Sequence, residues 1–323
     1  MTRVTVLKQM IRLGMRVVPN HTLAYRLCAR LSPLVVHPPA DCQVDRLRIA
    51  HCEAWWLACR HHCDARVVLY LHGGGYVIGS NRTHLELAGR LARAARAQVL
   101  MLEYRLAPEH PYPGALEDAR MAYDYLLAQR IRADQIVLAG DSAGGGLALA
   151  LAMHLRDEGQ PVPAGVMCLS PWLDITCSLS SESLEQARDP LISPARIRHF
   201  AQLYAAEHDP AHPGLSPFFG DLSGLPPILI QVGEDEVLVP ECLHLAERAQ
   251  AQGASLDLQV WPGMFHVWHF AARLLPEARQ AISRLGLFAR EVTGTERIST
   301  PVRRTHAVWP PALPLEPVRR NSY

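Results

Sequence analysis

Between about residues 45 and 290 the apolar and polar positions of this 323-residue chain fall into a repeating rhythm. Short apolar, β-branched runs recur at 66–71 (RVVLYL), 98–103 (QVLMLE), 135–139 (QIVLA), 165–169 (GVMCL), 228–232 (ILIQV) and 256–261 (LDLQVW). Runs this continuous suit strands buried on both faces of a parallel sheet. Between them, 84–97, 115–130, 142–156, 240–252 and 276–290 carry helical patterns. Strand and helix in alternation predict an α/β fold, with a mostly parallel central sheet and helices on both faces. The run 49–59 also reads as strand, with Trp55 and Trp56 inside it.

Three regions fall outside the rhythm. The first 40 residues form a basic, amphipathic helical stretch that ends in Ser-Pro and Pro-Pro. Residues 189–217 insert a helix where a short connection would do. Both are placed to cap the carboxyl ends of the strands. The chain after Val292 has proline at 301, 310, 311, 314 and 317, and repeats Pro-Val-Arg-Arg at 301–304 and 317–320. Such a composition cannot bury a core, so a disordered tail is expected. The division is therefore an N-terminal cap region (1–45), a main α/β domain (46–291) with a cap insertion at about 189–217, and a tail (292–323).

Composition narrows the function classes. The formal charge of +1 gives no reason to expect a nucleic-acid partner. Lys8 is the sole lysine; the remaining basic side chains are arginine and histidine. Arg3, Lys8, Arg12 and Arg16 interrupt the first apolar stretch, which argues against an export signal, and no run approaches the ~20 apolar residues of a membrane span. A cytoplasmic protein without stable membrane insertion is expected. Cys52, Cys59 and Cys63 lie near His51, His61 and His62 but lack the paired C-x-x-C units of a zinc site. Reduced structural thiols, and no metal, are the expectation.

The chemistry resides in two glycine motifs. Gly140-Asp141-Ser142-Ala143-Gly144 fits the G-x-S-x-G nucleophile elbow, with a buried strand before it and a helix after it. The glycines permit a sharp turn that exposes the serine hydroxyl, and the helix N-terminus faces the spot where an oxyanion would form. His72-Gly73-Gly74-Gly75 follows the strand at 66–71. Glycine there lets backbone N–H groups face developing negative charge. Neither a Walker lysine nor a G-x-G-x-x-G spacing accompanies it, so a nucleotide loop is disfavoured.

HGGGY at 72–76, EYRLAPEHPYPGAL at 103–116, GDSAGGGLA at 140–148, SPWLD at 170–174 and DPLISP at 189–194 together resemble the hormone-sensitive-lipase-like (bacterial family IV) esterases. The resemblance implies an α/β-hydrolase fold with a helical cap and a serine carboxylester hydrolase for short to medium acyl chains. It also implies a triad. Ser142 would be the nucleophile, and His266, in Pro-Gly-Met-Phe-His just past the last strand, would be the base; His269 has no motif support. A G-x-D-x-x-L arrangement selects Asp235 as the acid, with Glu234 and Glu236 as competitors, although Val239-Pro240-Glu241 stands where the family often has a second aspartate. Backbone N–H groups of Gly74, Gly75 and Ala143 would form the oxyanion hole. Glu103, Tyr104 and Arg105 read as a buried network holding loops, His72 as an orienter of the glycine loop, and Trp172 as pocket or core. No cofactor is needed, and the expected partner is a small ester, with a homodimer left open. The same fold and residues also admit a ligand-binding protein, an amidase or an acyltransferase.

Overall fold

In the computed structural model, residues 3–17, 37–178 and 189–294 are described. The apolar runs form one eight-stranded sheet of order β1-β2-β4-β3-β5-β6-β7-β8. Its strands are β1 (Cys42–Ile49), β2 (Cys52–Cys59), β3 (Val67–Leu71), β4 (Gln98–Glu103), β5 (Ile136–Asp141), β6 (Gly165–Leu169), β7 (Ile228–Gly233) and β8 (Leu256–Trp261). From β4 to β8 all pairings are parallel, while β1 and β2 add an antiparallel hairpin at one edge. The run at 49–59 is thus a turn and the second strand of that hairpin.

Every residue of β3, β5 and β6 is buried, as a continuous apolar run requires. Period-two alternation divides them between two cores. Val67, Leu69 and Leu71 face one core with α3 (Gly114–Ala128), α4 (Ala143–Asp157) and α6 (Val239–Ala251), while Val68 and Tyr70 face the other. That second core holds α2 (Asn81–Ala95) and α7 (Pro276–Thr293). A Cβ on Gly286 of α7 would lie 2.3 Å from the backbone carbon of Ala94, so a missing side chain sets how closely α2 and α7 approach.

The strand order positions the site. From β3 the chain moves outward to β4, then returns to lay β5 on the opposite side of β3. That reversal opens a crevice at the carboxyl ends of β3 and β5, the place where open α/β sheets bind ligands. Both glycine motifs lie there.

The basic N-terminal stretch forms α1 (Arg3–Val17), whose Val4, Leu7 and Ile11 pack on the second core. The expected insertion helix is α5 (Pro194–Ala205), its first turn capped by the Ser193 hydroxyl. Helix α7 continues to Thr293, past the expected start of the tail. The Pro-Val-Arg-Arg repeats lie outside the described residues.

The thiol expectation needs correction. Cys42 and Cys59 face each other across β1 and β2 and form a disulfide, because the hairpin register pairs them directly. Cys52, Cys168 and Cys242 are free thiols in the interior, and Cys63 and Cys177 are likewise buried.

Candidate active site

The elbow is built by close backbone contact. A Cβ on Gly144 would lie 2.0 Å from the Leu71 carbonyl, and one on Gly140 would lie 2.2 Å from the Gly144 carbonyl. Only glycine lets the first turn of α4 press against the end of β3 in this way. Ser142 sits between them at φ 53°, ψ −123°, a strained conformation for a residue with a side chain. Its N–H donates to the Leu169 carbonyl (2.8 Å), and its carbonyl accepts from Trp172 N–H (2.9 Å). The end of β6 therefore holds the elbow from both sides.

His266 lies beyond β8 with Nε2 2.9 Å from Ser142 Oγ. Its Nδ1 is 2.9 Å from Glu236 Oε2. Here the structure departs from the expected acid. After β7 the chain turns through a Glu236 N–H to Gly233 carbonyl bond of 3.0 Å, which carries Glu236 inward and Asp235 outward. The Glu236 carboxylate is fully buried, and its second oxygen accepts from Ser170 Oγ (2.7 Å) and Gly233 N–H (2.6 Å). Asp235 does not reach His266 and instead pairs with Lys8 of α1, so Glu236 stands where Asp235 was expected. Glu234 accepts from Gly263 N–H (2.8 Å) on the neighbouring loop. The acid that meets the histidine immediately precedes the buried pair Val237–Leu238.

Burial alone would lower the His266 pKa. The hydrogen bond and charge of Glu236, joined by the charges of Asp189 and Asp141, outweigh it and shift the pKa upward. His269, without motif support in the sequence, packs beneath the site and contacts Gln231 Oε1 at 2.9 Å. Burial drives its pKa down to about 3.

The glycine loop is locked from below. Gly73 N–H donates to Asp141 Oδ1 (3.1 Å), Tyr70 hydroxyl donates to the same oxygen (2.6 Å), and His84 Nε2 lies 3.2 Å from Oδ2. Burial would raise the Asp141 pKa, but His84 and Tyr70 prevail and lower it. His72 Nδ1 donates to the Gly73 carbonyl (2.9 Å), and its ring stacks on Tyr104 at 4.3 Å. Burial, reinforced by the charge of His84, drives the His72 pKa down to about 3. Gly74 and Gly75 carry φ of 121° and 61° and line the cleft in front of Ser142. Ala143 opens α4, so its N–H is one of those with no partner inside the helix.

The remaining motifs are accounted for. Arg105 binds both carboxylate oxygens of Asp118, which also lies 2.8 Å from His51. Glu103 Oε2 accepts Asn81 N–H (2.7 Å) at the start of α2, and Tyr104 hydroxyl donates to the His72 carbonyl (2.6 Å). The resemblance gave no role to Glu241, yet its buried carboxylate holds the N–H groups of Leu173 (2.9 Å) and Asp174 (3.2 Å). Of the cysteine–histidine cluster, Cys59 is in the disulfide, while His51, Cys52 and Asp118 come together. Asp118 in that group is committed to Arg105.

Ser142 and His266 open into a cleft of about 470 Å³. Its walls are mainly apolar, with Trp172, Ile192, Ile197, Phe200, Leu238 and Phe270. Trp172 therefore serves both readings, buried in the core and lining the cleft. A larger groove of about 1010 Å³ runs along β8 and α7, where Arg279, Arg284 and Arg290 line it, but neither Ser142 nor His266 reaches it. Among the described residues no helix is long and apolar enough to cross a membrane.

Comparison with known proteins gives a consistent picture. A family model described as alpha/beta hydrolase fold matches residues 68–270. An acetyl-hydrolase of Streptomyces hygroscopicus is 46% identical over 257 residues, covering 80% of this chain and 84% of its own length. An esterase of Acinetobacter venetianus is 35% identical over 225 residues, covering 69% of this chain and 74% of its own. Among solved structures, an esterase of the bacterial hormone-sensitive lipase family superposes with a TM-score of 0.86 at 41% identity, over 90% of this chain and 98% of that one. The esterase EstE5, soaked with p-nitrophenyl butyrate, superposes with a TM-score of 0.85 at 40% identity, over 91% of this chain and all of that one.

Proposed function

Because this chain belongs to the hormone-sensitive-lipase-like family of α/β-hydrolase ester hydrolases, we propose that it cleaves small carboxylic esters with Ser142, His266 and Glu236 as its triad. The observation that carries this reading is the unbroken line from Ser142 Oγ through His266 to the buried Glu236 carboxylate, with 2.9 Å at each step.

In this mechanism His266 Nε2 takes the hydroxyl proton as Ser142 Oγ attacks the ester carbonyl. The N–H groups of Gly74, Gly75 and Ala143 stabilise the oxyanion. His266 then gives the proton to the leaving alkoxide as the C–O bond breaks, which leaves an acyl-enzyme. A water, deprotonated by the same histidine, releases the acid and restores Ser142. Glu236 fixes the proton on Nδ1 and stabilises the imidazolium, and it does so without taking the proton itself. Ser170 and Gly233 hold that carboxylate in place. The apolar walls and modest volume of the cleft favour short to medium acyl groups. The p-nitrophenyl butyrate soak of EstE5 supports the same range.

The test is hydrolysis of nitrophenyl esters of rising acyl length by wild type and Ser142→Ala. Activity greatest on short chains and lost in the variant is the expected result. A folded wild type with no esterase activity would favour a ligand-binding role on the same fold. The Cys42–Cys59 disulfide favours an oxidising compartment over the cytoplasm expected from the sequence.

A further inference from the structure

The cap segment brings a third carboxylate to the triad. Asp189 opens the DPLISP stretch and is 9% exposed. One of its oxygens, one Glu236 oxygen and one His266 ring nitrogen lie within 4.8 Å of one another. Its Oδ1 accepts the N–H groups of Leu191 (2.8 Å) and Ile192 (3.2 Å), two residues that line the cleft. Its Oδ2 is buried and has no hydrogen-bond partner among the described residues. An apolar or amide side chain would serve to pack or to cap this turn. A buried carboxylate with one oxygen unused is costly unless something nearby is positively charged. The nearby group that becomes so is His266, once it has taken the proton from Ser142.

We propose that Asp189 is a second carboxylate partner of His266, supplied by the cap, which stabilises the imidazolium formed during acyl transfer. This inference rests on the triad reading above. With both carboxylates ionised, the three groups change from a net charge of −2 to −1 when the serine proton arrives, so the transfer relieves repulsion between the two anions. The other groups facing His266 fit this bookkeeping. Asp141, at the end of β5, adds a favourable charge, and His269 is held neutral by burial. Glu241 of α6 acts on Glu236 from behind. Burial, with the nearby charge of Glu236, pushes the Asp189 carboxyl up to about 6, while His266 and the two N–H groups oppose that shift. Above that pH the second partner is charged.

Asp189 positions and charges another group rather than touching substrate, so the test must read the histidine. Asp189→Asn keeps an oxygen for the Leu191 and Ile192 N–H groups and removes only the charge. In the full-length protein, the pH profile of kcat/KM for p-nitrophenyl butyrate is compared among wild type, Asp189→Asn and Asp189→Ala. Without the second anion the imidazolium is less favoured, so His266 protonates at lower pH. The acidic limb, which reports the coupled cluster, is expected to move down by about one pH unit in Asp189→Asn, with kcat about tenfold lower and KM within about twofold. A limb unmoved in Asp189→Asn, in an enzyme that Ser142→Ala silences, overturns the role of Asp189 alone. So does a loss confined to Asp189→Ala, which would make Asp189 merely the cap of its turn. Hydrolysis that survives Ser142→Ala overturns the triad reading and this role with it.

Discussion

At the level of single side chains, the loop after β7 sorts three successive carboxylates by direction. Glu234 reaches the neighbouring loop at Gly263, Asp235 reaches Lys8, and only Glu236 points into the protein toward His266. A buried, hydrogen-bonded carboxylate can hold one imidazole tautomer, whereas one turned toward α1 cannot. Glu236→Gln is therefore expected to lower kcat on p-nitrophenyl butyrate by about 10⁴-fold, as loss of the orienting acid does in other serine hydrolases. Asp235→Asn is expected to stay within about threefold of wild type, since it removes a charge that does not face the histidine. Steady-state kinetics of the two variants side by side check this, and the opposite ranking would restore Asp235 as the acid. Sequence spacing could offer all three residues. It could not choose among them, because the choice depends on a single turn between Gly233 and Glu236.

At the level of elements, the site depends on loops held by contacts from elsewhere in the fold. The loops bearing Glu236 and His266 are joined by Asp235 N–H to the Met264 carbonyl (3.0 Å) and Glu234 N–H to the Trp261 carbonyl (2.9 Å). Lys8 of α1 bridges both, donating to Asp235 and to the Gly263 carbonyl (2.6 Å). The amphipathic pattern of the first residues announces a helix, but nothing local announces that its lysine would clip the loops bearing Glu236 and His266. Helix α7 closes over the same face and packs on α2 through Gly286. Since an added Cβ would meet the Ala94 backbone at 2.3 Å, Gly286→Ala must spread the two helices. A destabilisation of about 1–3 kcal/mol is expected from such overpacking. Urea unfolding with an unchanged m-value would measure it, and a variant as stable as wild type would show that α7 shifts at no cost.

At the level of the whole molecule, burying histidines neutral makes stability depend on pH. His269 has its pKa driven down to about 3 in the fold. The unfolded chain takes up that proton near its ordinary value of about 6.5. Below this value the unfolded state binds more protons than the folded one, so stability is lost as pH falls. Between pH 7 and 5 one such histidine accounts for about 2 kcal/mol. His269→Gln is expected to shrink the fall in urea-unfolding free energy over that interval by about this amount, and an unchanged fall would show the residue already charged in the fold. Comparing one variant over two pH values also separates His269 from groups shifted the other way, such as His266 and Asp189. The parallel core was legible in the sequence, since runs such as VVLYL and GVMCL can satisfy their burial only between two helical layers. So were the elbow and the glycine loop, where backbone crowding at Gly140 and Gly144 demands glycine. These are local requirements, and local requirements leave a mark in composition and spacing. Only the tertiary contacts bring Glu236 rather than Asp235 to His266, Cys42 opposite Cys59, the Glu241 carboxylate to the loop at Leu173, and Asp189 beside Glu236 and His266. Each of these joins residues far apart in the chain, or turns on the direction of one side chain, and the pairing becomes visible only when strands and loops are brought into register.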